Sequence, residues 1–240
     1  MKILAFDSTA KVASAAVSDG EKILAEYSVD NGLTQSELLL PMAEDLLRSL
    51  KMSFADIDLF ACSAGPGSFT GVRIGVALVK GLAFGRNIPC AEVSTLEALA
   101  ENLSGLDGIT VAVMDARRGQ FYCALFESSE NGIKRLTDDA PLSAKELADA
   151  LASYEGRTVY LVGDGYLPAK RALESLGVKT AVTPEKLRNE SAASVAICAA
   201  RAALAKKTVS DRDIKPCYLR VPQAERERLE RLNTQGANQN

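Results

Sequence analysis

Asp7 and Asp115 each close a short apolar run, KILAFD at 2–7 and ITVAVMD at 109–115, and turn-forming residues follow both. A carboxylate at the end of a strand can hold metal-bound water or a nucleotide, or it can cap its own turn. Ser8 and Thr9, next to Asp7, add hydroxyls suited to a phosphate. The densest signal is Gly65-Pro66-Gly67-Ser68-Phe69-Thr70-Gly71-Val72-Arg73-Ile74-Gly75, set between an apolar run and a helical pattern. Backbone N–H groups at a helix start, approached through glycines, suit an anion. The plainer reading is a tight strand-to-helix turn capped by Ser68 or Thr70. The segment is not a P-loop, since no Gly-Lys-Ser/Thr follows, and it is not a GxGxxG fingerprint. A second glycine turn, Gly163-Asp164-Gly165, could face an adenosine or simply reverse the chain.

What is missing narrows the chemistry further. The 240 residues include no histidine. A Ser–His–Asp or Cys–His pair is therefore excluded, as is any zinc or iron site with a histidine ligand. The five cysteines, Cys62, Cys90, Cys123, Cys198 and Cys217, form no CxxC pair. They read as small buried hydrophobes in a reducing compartment. A net charge of −3 argues against a protein that coats nucleic acid. The charge is uneven, however. Residues 201–240 hold nine Lys or Arg against five Asp or Glu, +4, which leaves −7 for the rest. No run of 18 apolar residues occurs, and the opening apolar run is too short for a signal peptide, so a cytoplasmic protein with no membrane segment is expected.

The elements that must position these groups fall into two cycles. The first opens with a strand ending in Asp7 and a hairpin, 12–18 and 23–29, turned at Asp19-Gly20. A helix over 34–50 follows, with a Thr34/Glu37 capping box and Pro41 inside it, which predicts a kink or a late start. Then come a buried strand at 58–62, the glycine segment leading into a helix over 70–85, a short strand at 90–93 and a helix over 94–103. SGLDG at 104–108 reads as the connection between lobes. The second cycle repeats the opening: a strand at 109–115 ending in Asp115, a turn at Arg117-Arg118-Gly119, and a partner strand at 121–127. A helix at 142–153, a strand at 158–165 and an Ala-rich helix at 192–207 complete it. Residues 1–103 and 104–210 are thus expected to be two lobes. A tail at 211–240 is expected to return to the first lobe and to end in disorder.

The helix over 70–85 is also a candidate contact surface. Gly71 and Gly75 are four apart, as are Gly81 and Gly85, and glycine inside a helix costs about 1 kcal/mol relative to alanine. Small residues at this spacing let another backbone come close. A subunit interface built from this helix and helix 34–50 is the sharper reading, with Leu39, Leu46, Gly71, Val72, Gly75, Val76 and Val79 as its candidates. Packing within one lobe is the plainer one.

Taken together, ILAFDST, SAGPGSFTGVRIG, MDARRGQFY and LVGDGY resemble the TsaB (YeaZ) family over roughly residues 1–220. The resemblance implies a degenerate member of the actin-like ATPase and sugar-kinase (ASKHA) fold group, an α/β protein of two lobes with RNase H-like mixed sheets. It implies a non-catalytic partner of TsaD in tRNA threonylcarbamoyladenosine synthesis, with TsaE as a third component, a homodimer in isolation, and tRNA met only through the complex. TsaD carries a metal held by histidines of an HxxxH motif, which this chain cannot reproduce. Where many members have a histidine at the start of the first helix, this sequence has Gln35. Asp7, Ser8, Thr9 and Asp115 would mark a vestigial nucleotide site, with ATP or ADP at the TsaD interface. Helices 34–50 and 70–85 would form a four-helix bundle with TsaD or with a second copy. Two competing classes are a sugar- or acetate-kinase-type phosphotransferase with Asp7 and Asp115 as metal and phosphate ligands, and a plain homodimeric scaffold. Direct tRNA contact, if made, would fall on Arg212, Lys215, Arg220, Arg226 and Arg228.

Overall fold

The computed structural model describes residues 1–220; the expected disorder at the end of the tail, Arg226 and Arg228 lie outside them. Strand β1 (Lys2–Asp7) pairs antiparallel with β2 (Ala13–Asp19), which pairs with β3 (Lys22–Val29). On its other side β1 pairs in parallel with β4 (Leu59–Gly65), and β4 with β5 (Cys90–Ser94). The first sheet therefore runs β3-β2-β1-β4-β5. The second has the same plan: β6 (Gly108–Asp115) pairs antiparallel with β7 (Gln120–Ser129) and in parallel with β10 (Val159–Val162). One half of β7 also takes β8 (Gly132–Arg135), and the other half β9 (Ala140–Ser143). Asp7 and Asp115 thus end equivalent strands, as the repeat in the sequence predicts.

Both faces of the first sheet are buried at β1, β2 and β4, which is why these strands read as continuous apolar runs, while edge strand β3 is partly exposed. Leu4, Phe6, Phe60 and Cys62 face α1 (Gln35–Ser49) and α2 (Phe69–Ala83). Ile3, Ala5, Leu59 and Ala61 face α6 (Ala192–Leu204). Helix α1 runs through Pro41 without the predicted late start. The Thr34 N–H donates to Glu37 Oε2 at 3.0 Å, so the capping box holds its first turn. In the second lobe α4 (Ala144–Ala152) and α5 (Tyr166–Ser175) cover one face, with Leu147 and Leu173 against Val111, Val113 and Leu161. The opposite face is covered by α3 (Thr95–Glu101), through Leu96 and Leu99 against Ala112, Met114 and Phe126.

This last pairing corrects the expected division at 103/104 and the second-lobe span 104–210. Helix α3 comes from the first stretch of sequence yet lies on the second sheet. Helix α6 comes from the second stretch yet lies on the first sheet, through Val195, Ala196 and Ala199 against Ile3, Ala5, Leu59 and Ala61. The two helices also pack on each other. The alanines of α6 explain its place, since a helix gripped between a sheet and another helix needs small side chains on several faces. The return to the first lobe thus begins at Ala192 and not at 211. After α6 the Cys90 and Val209 backbones pair, and Ile214 enters the first core.

Candidate functional site

The glycine segment between β4 and α2 is a packing device. A Cβ on Gly71 would stand 1.9 Å from the Ser8 carbonyl oxygen, and one on Gly75 would stand 2.7 Å from Ser8 Oγ. A Cβ on Gly67 would meet Thr9 at 2.7 Å, and one on Gly65 would meet the Cys217 carbonyl at 2.3 Å. The space the glycines leave is thus taken by the β1–β2 turn and by the returning chain. Hydrogen bonds fix the same contact: the Ser8 hydroxyl donates to the Gly71 carbonyl at 2.8 Å, and the Ser68 N–H donates to the Thr9 carbonyl at 2.7 Å. Ser68 Oγ caps α2 by accepting from the Gly71 N–H at 3.3 Å. Of the two readings of this segment, the structure supports the capped strand-to-helix turn. Gly85 lies beyond α2 in the left-handed region, φ +72°, and Gly81 has open space where a Cβ would stand. The expected helix-on-helix approach at Gly71 and Gly75 is therefore a helix-on-turn approach.

Asp7 belongs to that support. It is buried and does not line the cleft, because its oxygens are taken. Oδ1 accepts from the Thr9 N–H at 2.8 Å and the Thr9 hydroxyl at 2.7 Å, and Oδ2 accepts from the Ser63 hydroxyl. Ser8 is likewise turned inward onto α2. Of the four expected nucleotide residues, Thr9 and Asp115 line the interlobe cleft, and Asp7 and Ser8 hold the turn that carries Thr9.

The cleft has a volume of about 700 Å³. Lys11 and Gln35 line it from the first lobe, and Arg117, Tyr122 and Asp164 from the second. Arg117 and Arg118 are both left-handed, φ +62° and +56°, in the β6–β7 turn. Such a conformation costs a non-glycine residue about 1–2 kcal/mol, and here the strained pair forms the turn at the cleft. The returning chain bridges the two sides. The Cys217 N–H donates to the Ala64 carbonyl at 2.6 Å, and the Tyr218 ring lies 5.2 Å from that of Phe69. The Arg220 guanidinium donates to the Ala116 carbonyl and to Gln120 Oε1 on the second lobe. Three cationic side chains from three separate elements, Lys11, Arg117 and Arg220, thus line one cavity. Sequence reasoning does not bring the three together: it offers Arg220 only as a tRNA contact and Arg117 only as part of a turn, because they share no element or motif. The adjacent Arg117-Arg118 before Gly119, where a tight hairpin favours Gly or Asn, was the available signal.

Two carboxylates at or beneath this cleft have raised pKa values, buried Asp7 and exposed Asp164. Burial pushes Asp7 above the ordinary carboxylate range, against the lowering effect of its bonds to Ser63 and Thr9. Asp164 is raised by desolvation too, although it accepts from the Asp115 N–H at 3.1 Å. A carboxylate with a raised folded pKa adds stability only while protonated, and that contribution is lost as pH rises through the folded value. Asp164→Asn keeps an acceptor for the Asp115 N–H and removes a charge that the cleft walls partly desolvate. It is expected to melt higher than the parent at pH 7, with the gain fading as pH falls through the raised folded value and gone below the ordinary aspartate value of 3.8; melting curves across this range check it. Among the cysteines, Cys62, Cys90, Cys123 and Cys198 are buried, and burial pushes Cys90 up to about 11 and Cys123 up to about 12. Cys217 is free and exposed.

The seven candidate contact residues face inward, as the plainer reading of packing within one lobe has it. Leu39, Leu46, Gly71, Val72, Gly75, Val76 and Val79 are all buried in this chain, in or beside the core beneath the first sheet. The opposite side of α2 carries a second stripe: Ile74, Leu78 and Leu82 half-buried, Ala77 and Gly81 exposed. Their spacing, 74, 77, 78, 81 and 82, is that of one helical seam. Phe84 stands 77% exposed beyond its end, and α1, packed beside α2, adds Leu40 at 39%.

Two mixed sheets built on one repeated plan, joined across a cleft, define the actin-like ATPase and sugar-kinase class of fold. Residues 34–228 match the family described as "TsaD: tRNA N6-adenosine threonylcarbamoyltransferase". The chain is similar to the tRNA threonylcarbamoyladenosine biosynthesis protein TsaB of Bacillus subtilis, at 29% identity over 96% of this chain and 99% of that one. It is 30% identical to TsaB of Buchnera aphidicola subsp. Schizaphis graminum, over 70% of this chain and 81% of that one. A solved Pseudomonas aeruginosa structure, titled as an uncharacterized protein with similarity to peptidase YEAZ, superposes with a TM-score of 0.79 at 24% identity, covering 91% of this chain and 99% of that one. The chain belongs to the TsaB (YeaZ) family. Among the described residues no helix is long and apolar enough to cross a membrane.

Proposed function

We propose that this chain takes part in tRNA threonylcarbamoyladenosine synthesis as a non-catalytic subunit. It supports TsaD in transferring a threonylcarbamoyl group to N6 of the adenosine 3′ of the anticodon, in tRNAs that read codons beginning with A. The family match over 34–228, in a chain without a single histidine, carries this reading: the fold relationship is kept, and the histidine metal ligands of TsaD are absent. The partner-binding surface in this reading is the outer stripe of α2 with the adjoining part of α1, where an apolar seam is open to a helical partner. TsaD occupies it in the working complex, a second copy of the chain occupies it in isolation, and TsaE joins as a third component.

The cleft fits an ATP or ADP shared with TsaD. Lys11, Arg117 and Arg220 are placed for its phosphates, Thr9 offers a hydroxyl, and Asp7 and Ser8 hold the turn beneath. The protein's part is to bind and orient the nucleotide. Contact with tRNA arises only in the complex, with exposed Arg212 and Lys215 as this chain's contribution. Co-purification with TsaD, followed by a tRNA modification assay with and without this chain, tests the reading; modification at full rate without the chain would overturn it. The isolated chain is expected to show ATP turnover near zero, in parent and Asp7→Asn alike. Brisk hydrolysis that stops in Asp7→Asn would instead favour a sugar- or acetate-kinase-type phosphotransferase.

A further inference from the structure

A second cavity, of about 550 Å³, opens between the outer edge of the first sheet and the loop that leads into α6. Four carboxylates line it, Glu26 on β3, Asp30 just after it, Glu101 at the end of α3 and Glu190 in the loop, against one cation, Lys186, which pairs with none of them. Glu101 is neutralised by Arg201, whose Nη1 and Nη2 reach its oxygens at 2.6 and 3.1 Å. Glu26 Oε1 accepts from the Ser191 hydroxyl at 2.7 Å and the Ala193 N–H at 3.1 Å, and has no ion-pair partner among the described residues. Asp30 has no ion-pair partner among the described residues.

Glu190 sets this cavity apart from a solvated acidic surface. It is only 4% exposed, and its Oε1 receives no hydrogen bond among the described residues. A buried carboxyl oxygen left without a donor costs free energy, and native structures rarely leave one so. Burial first, then the charges of Asp7 and Asp164, push this carboxyl well above the ordinary range. A positively charged N–H donor entering from the cavity would supply what it lacks.

We infer that this cavity binds an aliphatic polyamine, one ammonium group donating to Glu190 and another meeting Asp30 and Glu26. Three features select this class. The unneutralised carboxylates are spread over β3, the turn after it and the α6 loop, and among the described residues no group of three acids or cysteines is close enough to hold a metal ion. Val12, Val29 and Leu187 also line the cavity and suit methylene segments between charges. The volume suits an extended chain of several carbons better than a single ion.

Calorimetric titration of the full chain with spermidine, at neutral pH and physiological ionic strength, tests the inference. Saturable binding at one site is expected. Glu190→Gln is expected to weaken it by roughly tenfold or more, as loss of a charge-assisted bond does. Asp30→Lys, at an exposed position that leaves folding intact, should weaken it as well and carries the test should Glu190→Gln fail to fold. Asp45→Asn, on the exposed face of α1, should leave it unchanged. Absence of saturable binding, or Glu190→Gln and Asp30→Lys proteins that bind as the parent does, overturns the site. So does an equal loss in Asp45→Asn, which would mean diffuse attraction to an acidic protein. Displacement of spermidine by an equal concentration of Mg²⁺ would assign a divalent-ion site and overturn it too.

Discussion

Gly71→Ala is expected to cost the isolated chain about 3 kcal/mol, the upper part of the range for overpacking a filled site. One methyl group would lie 1.9 Å from the Ser8 carbonyl oxygen, a backbone atom that cannot rotate away. The Ser8 turn cannot retreat easily, because the Ser8 hydroxyl holds the Gly71 carbonyl and Asp7 holds Thr9 from below. For a chain of this size that corresponds to a melting temperature lower by roughly 6–12 °C. The same change ten residues on should act with the opposite sign. A Cβ on Gly81 meets nothing within 4 Å, so Gly81→Ala should gain up to about 1 kcal/mol from helix propensity. Thermal melts of the two variants side by side decide the matter. A Gly71→Ala protein that melts with the parent would show that the turn is looser than its contacts indicate.

Ala77→Glu is expected to leave the isolated chain folded and to weaken its association with TsaD by about 30-fold or more. Ala77 is exposed at the middle of the outer seam of α2, between Ile74, Leu78 and Gly81. A carboxylate there costs the monomer little, since surface changes away from special features stay within about 0.5 kcal/mol. Buried against a partner helix it would be an unpaired charge, and central interface positions carry about 2 kcal/mol or more. The measurement is a pull-down or a titration with TsaD, paired with a melt. Normal binding by a folded Ala77→Glu protein would move the interface off this seam. Gly75→Leu cannot serve as that test: its side chain would strike Ser8 Oγ, so lost binding would report lost folding.

Much of this fold is legible in the sequence, because its elements carry local signatures. The runs ending in Asp7 and Asp115, the Asp19-Gly20 turn and the Thr34/Glu37 box each announce themselves within a few residues. The glycine spacing at 71 and 75 announces a close approach as well. It does not announce what approaches, because Ser8 lies more than sixty residues earlier in the chain. The choice of face on α2 was beyond a single sequence for a related reason. Val72, Val76 and Val79 form one apolar stripe and Ile74, Ala77 and Leu78 another, and periodicity cannot say which stripe meets the sheet. The cleft cations were harder still, since Lys11, Arg117 and Arg220 share neither an element nor a motif. Glu190 has no local signature at all; only its burial makes it notable.

The exchange of α3 and α6 between the sheets bears on how the chain can be made. A ribosome delivers β1 to β5 early, and α1 and α2 can cover one side of that sheet as soon as they emerge. The side bearing Ile3, Ala5, Leu59 and Ala61 waits for α6, whose last residue is Leu204. At about 5–20 residues per second, the stretch from Ser94 to Leu204 takes roughly 5–20 s to synthesise. Throughout that interval the face bearing Ile3, Ala5, Leu59 and Ala61 lacks the helix that covers it in the finished fold. The two halves of the chain are therefore one folding unit, completed only when α6 has left the ribosome.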